Sequence, residues 1–317
     1  MKRVIAGMFI SLAALWWAFR GLDWVAFKAA LMVADLRLVA IGSLILIVSI
    51  PIRGYRWGIL LSPIKRVSLI DSSEATLVGY FGNNALPFRL GELLRSYFLG
   101  KRTNSSVSQI FGTVIVERLL DSSSFVLLLL MLPLVGTLPE PLRQPVIWTV
   151  LVALAGFAML IWLAWRKEIP FLKGRLKVWA DNIKVGFASL REAAHYLPIL
   201  IISVLIWLTY LASVHAAQLG IGLNLTWGQS YLILVTASLV IAVPSAPGVV
   251  GTYHAGIILL LVNVFGVEMS QAQAAAVVLH AVGFIPYTVL GAFYYFRSHI
   301  HIRDVRESQW DKERDPN

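Results

Sequence analysis

Ionisable side chains are sparse in the apolar parts of this chain, so chemistry is to be sought where they gather. Arg89, Glu92 and Arg95 recur every third residue and therefore share one side of a helix. Glu117, Arg118 and Asp121 form a second group, with its two acids one helical turn apart. At mid-bilayer each such charge costs about 2.5 to 3.5 kcal/mol on insertion scales, so these six should turn inward and pair. Arginines steadied by acids suit a phosphate. The same acids suit proton relay, or acid and base roles in phosphoryl or glycosyl transfer or hydrolysis. A buried packing network is the plainer use of the same residues. Arg53 and Arg56 read instead as the positive flank of a span, with Tyr55 and Trp57 as interfacial anchors.

Two breaks in apolar stretches lie beside or opposite these groups. The first runs NNALPFRLGE from Asn83 to Glu92, and the second PSAPGVVGTYH from Pro244 to His254. Each holds a proline, three residues and a glycine (Pro87 and Gly91, Pro247 and Gly251), and then a fresh helical run. Irregular backbone at membrane depth needs partners, which Asn83, Asn84 and Ser245 can supply. Each new helix presents free amides and a dipole that favour an anion. The candidate binding set is therefore Asn83, Asn84, Pro87, Arg89, Glu92, Arg95, Glu117, Arg118, Asp121, Ser245, Pro247, Gly248, Gly251, Thr252 and His254. His254, at the start of the second new helix, is placed to titrate near neutral pH. His215 and His280 read as hydrogen-bonded residues in apolar surroundings, and no metal or cofactor is expected.

What positions these residues is a chain built for lipid. It is 58% hydrophobic and 14% charged, with a mean hydropathy of +0.75, outside the range of soluble domains. At about 20 residues per span the length holds roughly seven to nine membrane segments, leaving no stretch for a separate soluble domain. Spans are predicted near residues 4–19, 38–52, 110–135, 146–165, 198–219 and 272–296, with the broken stretches near 70–98 and 228–266. The first run ends at Arg20, Gly21, Leu22 and Asp23 without a small-x-small cleavage site, so it reads as a retained span. With no cysteine in the chain, disulfides, thiolate metal sites and cysteine nucleophiles are excluded. The net charge of +10 points to cytoplasmic loops and anionic lipid headgroups rather than nucleic acid.

Lys and Arg collect at residues 53–66, at Lys101 and Arg102, between Arg166 and Glu192 and after Arg297, which places those segments in the cytoplasm with both termini. The links near 137–145, 220–227 and 266–271 are nearly uncharged and suit the outer face. Threading the spans through these sides makes each broken stretch re-entrant, from opposite faces. The expected architecture is an all-α polytopic transmembrane bundle of two inverted repeats with re-entrant hairpins. It forms one domain over 1–297, with repeats over about 1–136 and 146–297, and a charged tail over 298–317. Interrupted segments in corresponding places of two halves point to a transport site between them.

On Asn83 to Arg95 (NNALPFRLGELLR), on Glu117, Arg118 and Asp121 (Glu-Arg-x-x-Asp) and on Pro244 to Gly251 (PSAPGVVG), the sequence resembles the lysylphosphatidylglycerol synthase transmembrane region, a flippase-like family. The resemblance covers nearly the whole chain. It implies inverted repeats with re-entrant helices that move a charged-headgroup lipid between leaflets of a cell membrane, here the bacterial inner membrane. Members fused to a synthetase carry a soluble aminoacyl-transfer domain, an activity expected to be missing here. His254 stands where the resemblance leads one to expect Glu, which leaves headgroup identity open. The expected ligand is a membrane phospholipid or a polyprenyl-phosphate-linked lipid. No zinc-helix, serine-elbow or phosphate-loop motif is present, which argues against an enzyme. A transfer or hydrolysis enzyme remains an alternative, as does a noncatalytic partner of a separately encoded synthetase or glycosyltransferase.

Overall fold

The computed structural model describes residues 2–86, 90–135, 185–191, 193–242 and 245–298, with scattered positions between 140 and 182. The described residues form an all-α bundle: α1 (Lys2–Phe19), α2 (Trp24–Met32), α3 (Leu36–Leu61), α4 (Leu69–Ala85), α5 (Gly91–Thr103), α6 (Val107–Val135), α7 (Tyr196–Gly220), α8 (Trp227–Ala242), α9 (Thr252–Asn263) and α10 (Met269–Arg297). Among them α3, α7 and α10 are each long and apolar enough to cross a membrane. Most of the span expected near 146–165 and the tail beyond Ser298 lie outside the described residues.

Side-chain caps set where several helices begin. Asp23 accepts the amides of Val25 and Ala26 ahead of α2, Asp35 that of Arg37 ahead of α3, Ser68 that of Asp71 ahead of α4, and Glu268 that of Gln271 ahead of α10. One boundary differs from expectation. The apolar run that ends near residue 52 does not end its helix, because α3 continues through Arg53 and Arg56 to Leu61. Buried partners on other helices take up both guanidiniums, so the span needs no apolar residue there.

Two sets of four helices repeat one order of lengths. The set α3 to α6 has 26, 17, 13 and 29 residues, and the set α7 to α10 has 25, 16, 12 and 29. In each, two short helices form a hairpin whose tip is one of the breaks. At 1.5 Å per residue these short helices are about 18 to 26 Å long, below the roughly 30 Å of a hydrocarbon core.

The α4–α5 hairpin closes on glycines. A Cβ on Gly91 would lie 2.0 Å from the Gly79 carbonyl oxygen, so only glycine admits this approach. Its base is tied by ion pairs from Arg102 to Asp71 (2.5 Å) and to Glu74.

Helix α10 meets both hairpins. Gly291 packs on the Leu77 carbonyl of α4, Phe81 lies against Tyr295, and Asn84 Nδ2 donates to Thr288 Oγ1 at 2.7 Å, so α4 runs antiparallel to α10 from its C-terminal end. Helix α9 joins the N-terminal end of α10 by a short link and returns to its tip beside His280. His280, Phe284 and Thr288 occupy successive turns of α10. The first two meet Gly248 of the second tip and the third meets Asn84 of the first. Eight residues of helix separate the two contacts by about 12 Å.

Helices α3 and α10 each contain a proline, Pro51 and Pro286, and are bonded to each other near them. Pro286 offers no N–H to the Val282 carbonyl, and Ser43 Oγ from α3 donates to that oxygen at 3.1 Å. In return Tyr287 OH of α10 donates to the Leu46 carbonyl at 3.2 Å, next to the carbonyl of Ile47 that Pro51 leaves without its amide.

Candidate functional site

Glu117, in the first half of α6, is the hub of an ionic cluster drawn from three helices. Its carboxylate lies 3.4 Å from Arg53 and 3.3 Å from Arg56 of α3, 2.9 Å from Arg95 of α5, and 3.4 Å from Arg118 of its own helix. Asp121, one turn on, pairs with Arg53 (3.4 Å), Arg56 (2.5 Å) and Arg118 (3.3 Å). Glu92, in the first turn of α5 beside the first tip, pairs with Arg95 (2.9 Å) and Arg118 (3.7 Å). Among the described residues, four guanidiniums therefore face three carboxylates.

Neutral partners hold the frame. Arg53 Nε donates to Tyr210 OH of α7 at 2.7 Å, and Arg56 donates to Ser203 Oγ of the same helix at 3.0 Å. The Arg95 guanidinium lies 4.7 Å from the centre of the Trp57 ring, a cation–π distance, and Trp57 Nε1 donates to Thr113 Oγ1 at 2.9 Å.

Exposure divides the cluster. Arg53, Arg56, Arg95 and Glu117 are 6%, 0%, 3% and 1% exposed, whereas Arg118 is 42% exposed. Arg118 Nε, Arg56 Nε and two nitrogens of Arg95 make no aligned hydrogen bond, although carboxylates lie near. These buried donors are held by Coulomb attraction to the carboxylates beside them. The arrangement can hold an anion at Arg118 without uncovering the inner arginines.

The second tip is built differently. Ala246 N–H donates to Ser11 Oγ of α1 at 2.7 Å. Gly251 has φ +91°, and a Cβ there would lie 2.1 Å from the Ser11 carbonyl oxygen, so both conformation and space require glycine. His280 Nε2 lies 2.9 Å from the Gly248 carbonyl and Gly251 N–H donates to His254 Nδ1 at 3.4 Å, while the two imidazole centres are 4.9 Å apart.

The sequence matches the lysylphosphatidylglycerol synthase TM region over residues 4–291. The chain belongs to this family. It is 25% identical to a UPF0104 membrane protein of Methanocaldococcus jannaschii over 68% of this chain and 93% of that protein. A UPF0104 membrane protein of Methanothermobacter thermautotrophicus is 23% identical over 84% of each. One of Pyrococcus horikoshii is 33% identical over 37% of this chain and 35% of its own length.

In this member of the lysylphosphatidylglycerol synthase transmembrane-region family, Glu92, Arg95, Glu117, Arg118 and Asp121 come together as one cluster. Asn83 joins it by donating to Glu92 at 3.4 Å, and Asn84 turns to α10. Pro87 and Arg89 lie outside the described residues. Ser245, Pro247, Gly248, Gly251, Thr252 and His254 sit together at the second tip, where none is ion-paired to the cluster among the described residues. The side chains that meet that tip's backbone include Ser11 and His280, neither of which was a candidate.

Arg53 and Arg56 correct the reading of a positive flank, since both are buried partners of Glu117 and Asp121. Trp57, fully buried, is no interfacial anchor, while Tyr55 is 58% exposed as an anchor would be. The missed signal was spacing: Arg53 and Arg56 are three apart and share a helix face with Trp57.

Proposed function

We propose that this membrane protein moves a lipid with an anionic, phosphate-bearing headgroup between leaflets, and that the headgroup binds at Arg118 in front of the ionic cluster. The observation that carries the reading is the imbalance of four described guanidiniums against three carboxylates around a half-open Arg118 at the first tip. An isolated charge in lipid is costly, and a buried cluster carrying one excess cation is relieved by one anion. Glu92, Glu117 and Asp121 serve to orient the arginines, and the second tip forms the opposite wall of the path. Membership of the lysylphosphatidylglycerol synthase transmembrane-region family favours a lipid as the guest.

On this reading the two four-helix sets are inverted repeats, and their hairpins are re-entrant from opposite faces. The matched order of lengths and the approach of the tips to α10 from its two ends support that relation. Alternating exposure of one site is then a movement of the two hairpins against the long helices that seat them. The end bearing Lys65, Lys101 and Arg102 faces the cytoplasm by the positive-inside rule.

The test is reconstitution into liposomes with labelled anionic phospholipids and polyprenyl phosphates. Faster crossing than in protein-free vesicles, lost in Arg118→Gln, is expected. No acceleration of any of these lipids would refute the function.

A further inference from the structure

The second tip carries two imidazoles that the headgroup site does not use, and they grip its backbone in opposite senses. A carbonyl oxygen only accepts, so His280 Nε2, 2.9 Å from the Gly248 oxygen, carries a hydrogen. An amide only donates, so His254 Nδ1, which takes the Gly251 N–H at 3.4 Å, carries none. An imidazolium has no acceptor nitrogen. The structure therefore fixes His254 in its neutral form, and a proton on Nδ1 would replace the bond with two opposed N–H groups.

The surroundings reinforce this. His254 is 7% exposed and is the third residue of α9, where the helix dipole disfavours a cation. The titratable groups facing the pair are Tyr253 of α9, 4.8 Å from His280, and each imidazole for the other. From α1 come the Phe19 ring and the Ser11 hydroxyl, and α8 presents Val240 to the same hairpin. Among the described residues no carboxylate pairs with either histidine. With ring centres 4.9 Å apart, a proton on either imidazole opposes one on the other.

The segment they hold is strained. Gly248, Val249 and Gly251 all have positive φ (68°, 59° and 91°), and a β-branched residue at +59° is a genuine outlier. Such a conformation persists only while its surroundings hold it.

We propose that the second tip is a proton-coupling site: uptake of one proton on His254 Nδ1 releases the Gly251 amide and lets the 246–251 segment leave this conformation. Proton binding and tip position are then linked, each biasing the other by the same factor. The change passes along α10, whose His280 and Phe284 meet Gly248 and whose Thr288 meets Asn84 of the first tip. Its use in driving lipid movement rests on the transport reading above, but the proton-linked release of the tip does not.

The test is hydrogen exchange of the full chain in nanodiscs of phosphatidylglycerol and phosphatidylethanolamine, followed for peptides covering 246–256 and corrected for intrinsic rates. Between about pH 8 and about pH 5, the range in which histidine titrates, wild-type protection should fall about tenfold, within the usual span of site couplings. His254→Gln, whose amide oxygen accepts from Gly251 without titrating, should keep its protection across the range. Wild-type protection independent of pH, or an equal fall in His254→Gln, would overturn the proposal. In vesicles, wild-type lipid movement should respond to an imposed pH difference. Movement indifferent to that difference would refute the coupling and leave the transport reading standing. No lipid movement with the exchange result intact would refute transport and support the proton site.

Discussion

Glu117→Gln and Arg118→Gln should separate what the ionic cluster does for folding from what it does for a ligand. Glu117 is 1% exposed and lies within 3.4 Å of all four arginines. Its replacement by a neutral isostere leaves four guanidiniums against two carboxylates, with Arg53, Arg56 and Arg95 still buried. Breaking a buried pair from one side costs about 3 to 5 kcal/mol, because the remaining charge is left uncompensated. Arg118 pairs with the same acids at 3.3 to 3.7 Å, but it is 42% exposed. Its open side leaves it less of the buried frame than Glu117, and its removal evens the described charges. Unfolding in mixed detergent and dodecyl sulfate micelles, followed by tryptophan fluorescence, should show Glu117→Gln losing most of its stability and Arg118→Gln little. Native mass spectrometry should show the reverse for co-purified anionic lipid, retained by wild type and released by Arg118→Gln. Equal stability losses in the two variants would refute the division into buried frame and open donor. Unchanged lipid retention in Arg118→Gln would refute its role at the headgroup.

Gly91→Ala should part α4 from α5, since the new methyl falls 2.0 Å from a backbone oxygen. A loss of about 1 to 3 kcal/mol or more should appear in the thermal midpoint. Ser11→Ala leaves the Ala246 amide without its partner, an omission worth about 1 to 3 kcal/mol. Its effect should be faster exchange confined to the second tip. Tyr210→Phe removes the 2.7 Å acceptor of Arg53 Nε, and a hydrogen bond to a charged group contributes about 1.5 to 3 kcal/mol, measurable by the same micellar unfolding.

The membrane class, the helical architecture and the acids of the cluster were legible in the sequence because burial in lipid makes each ionisable residue conspicuous. Glu117 and Asp121 could be paired from one-turn spacing alone, and Glu92 with Arg95 likewise. The arginines of α3 were not legible as site residues. A basic pair at the end of an apolar run has the same pattern whether it meets headgroups or reaches inward, and only the other helices decide. Ser11 was hidden for a different reason: its partner Ala246 is 235 residues away, and a serine in an apolar helix announces nothing. The histidines were visible as residues but not as a pair, because His254 and His280 meet only when α9 folds back along α10. What tertiary contact alone creates, local pattern cannot declare.

The crossed hydroxyl bonds near Pro51 of α3 and Pro286 of α10 tie the two helices into one unit. Ser43 donates to the carbonyl that Pro286 leaves without its amide, and Tyr287 donates to the Leu46 carbonyl beside the one that Pro51 leaves so. Through α3 that fastened unit carries Arg53 and Arg56, and through α10 it carries the seats of both tips. On the transport reading proposed above, this pair is the frame expected to keep the cationic floor and the tip seats at one spacing while the two short-helix hairpins move against it. A disulfide engineered between α3 and α10 should leave the proposed lipid movement intact, whereas one pinning α9 to α1 should arrest it.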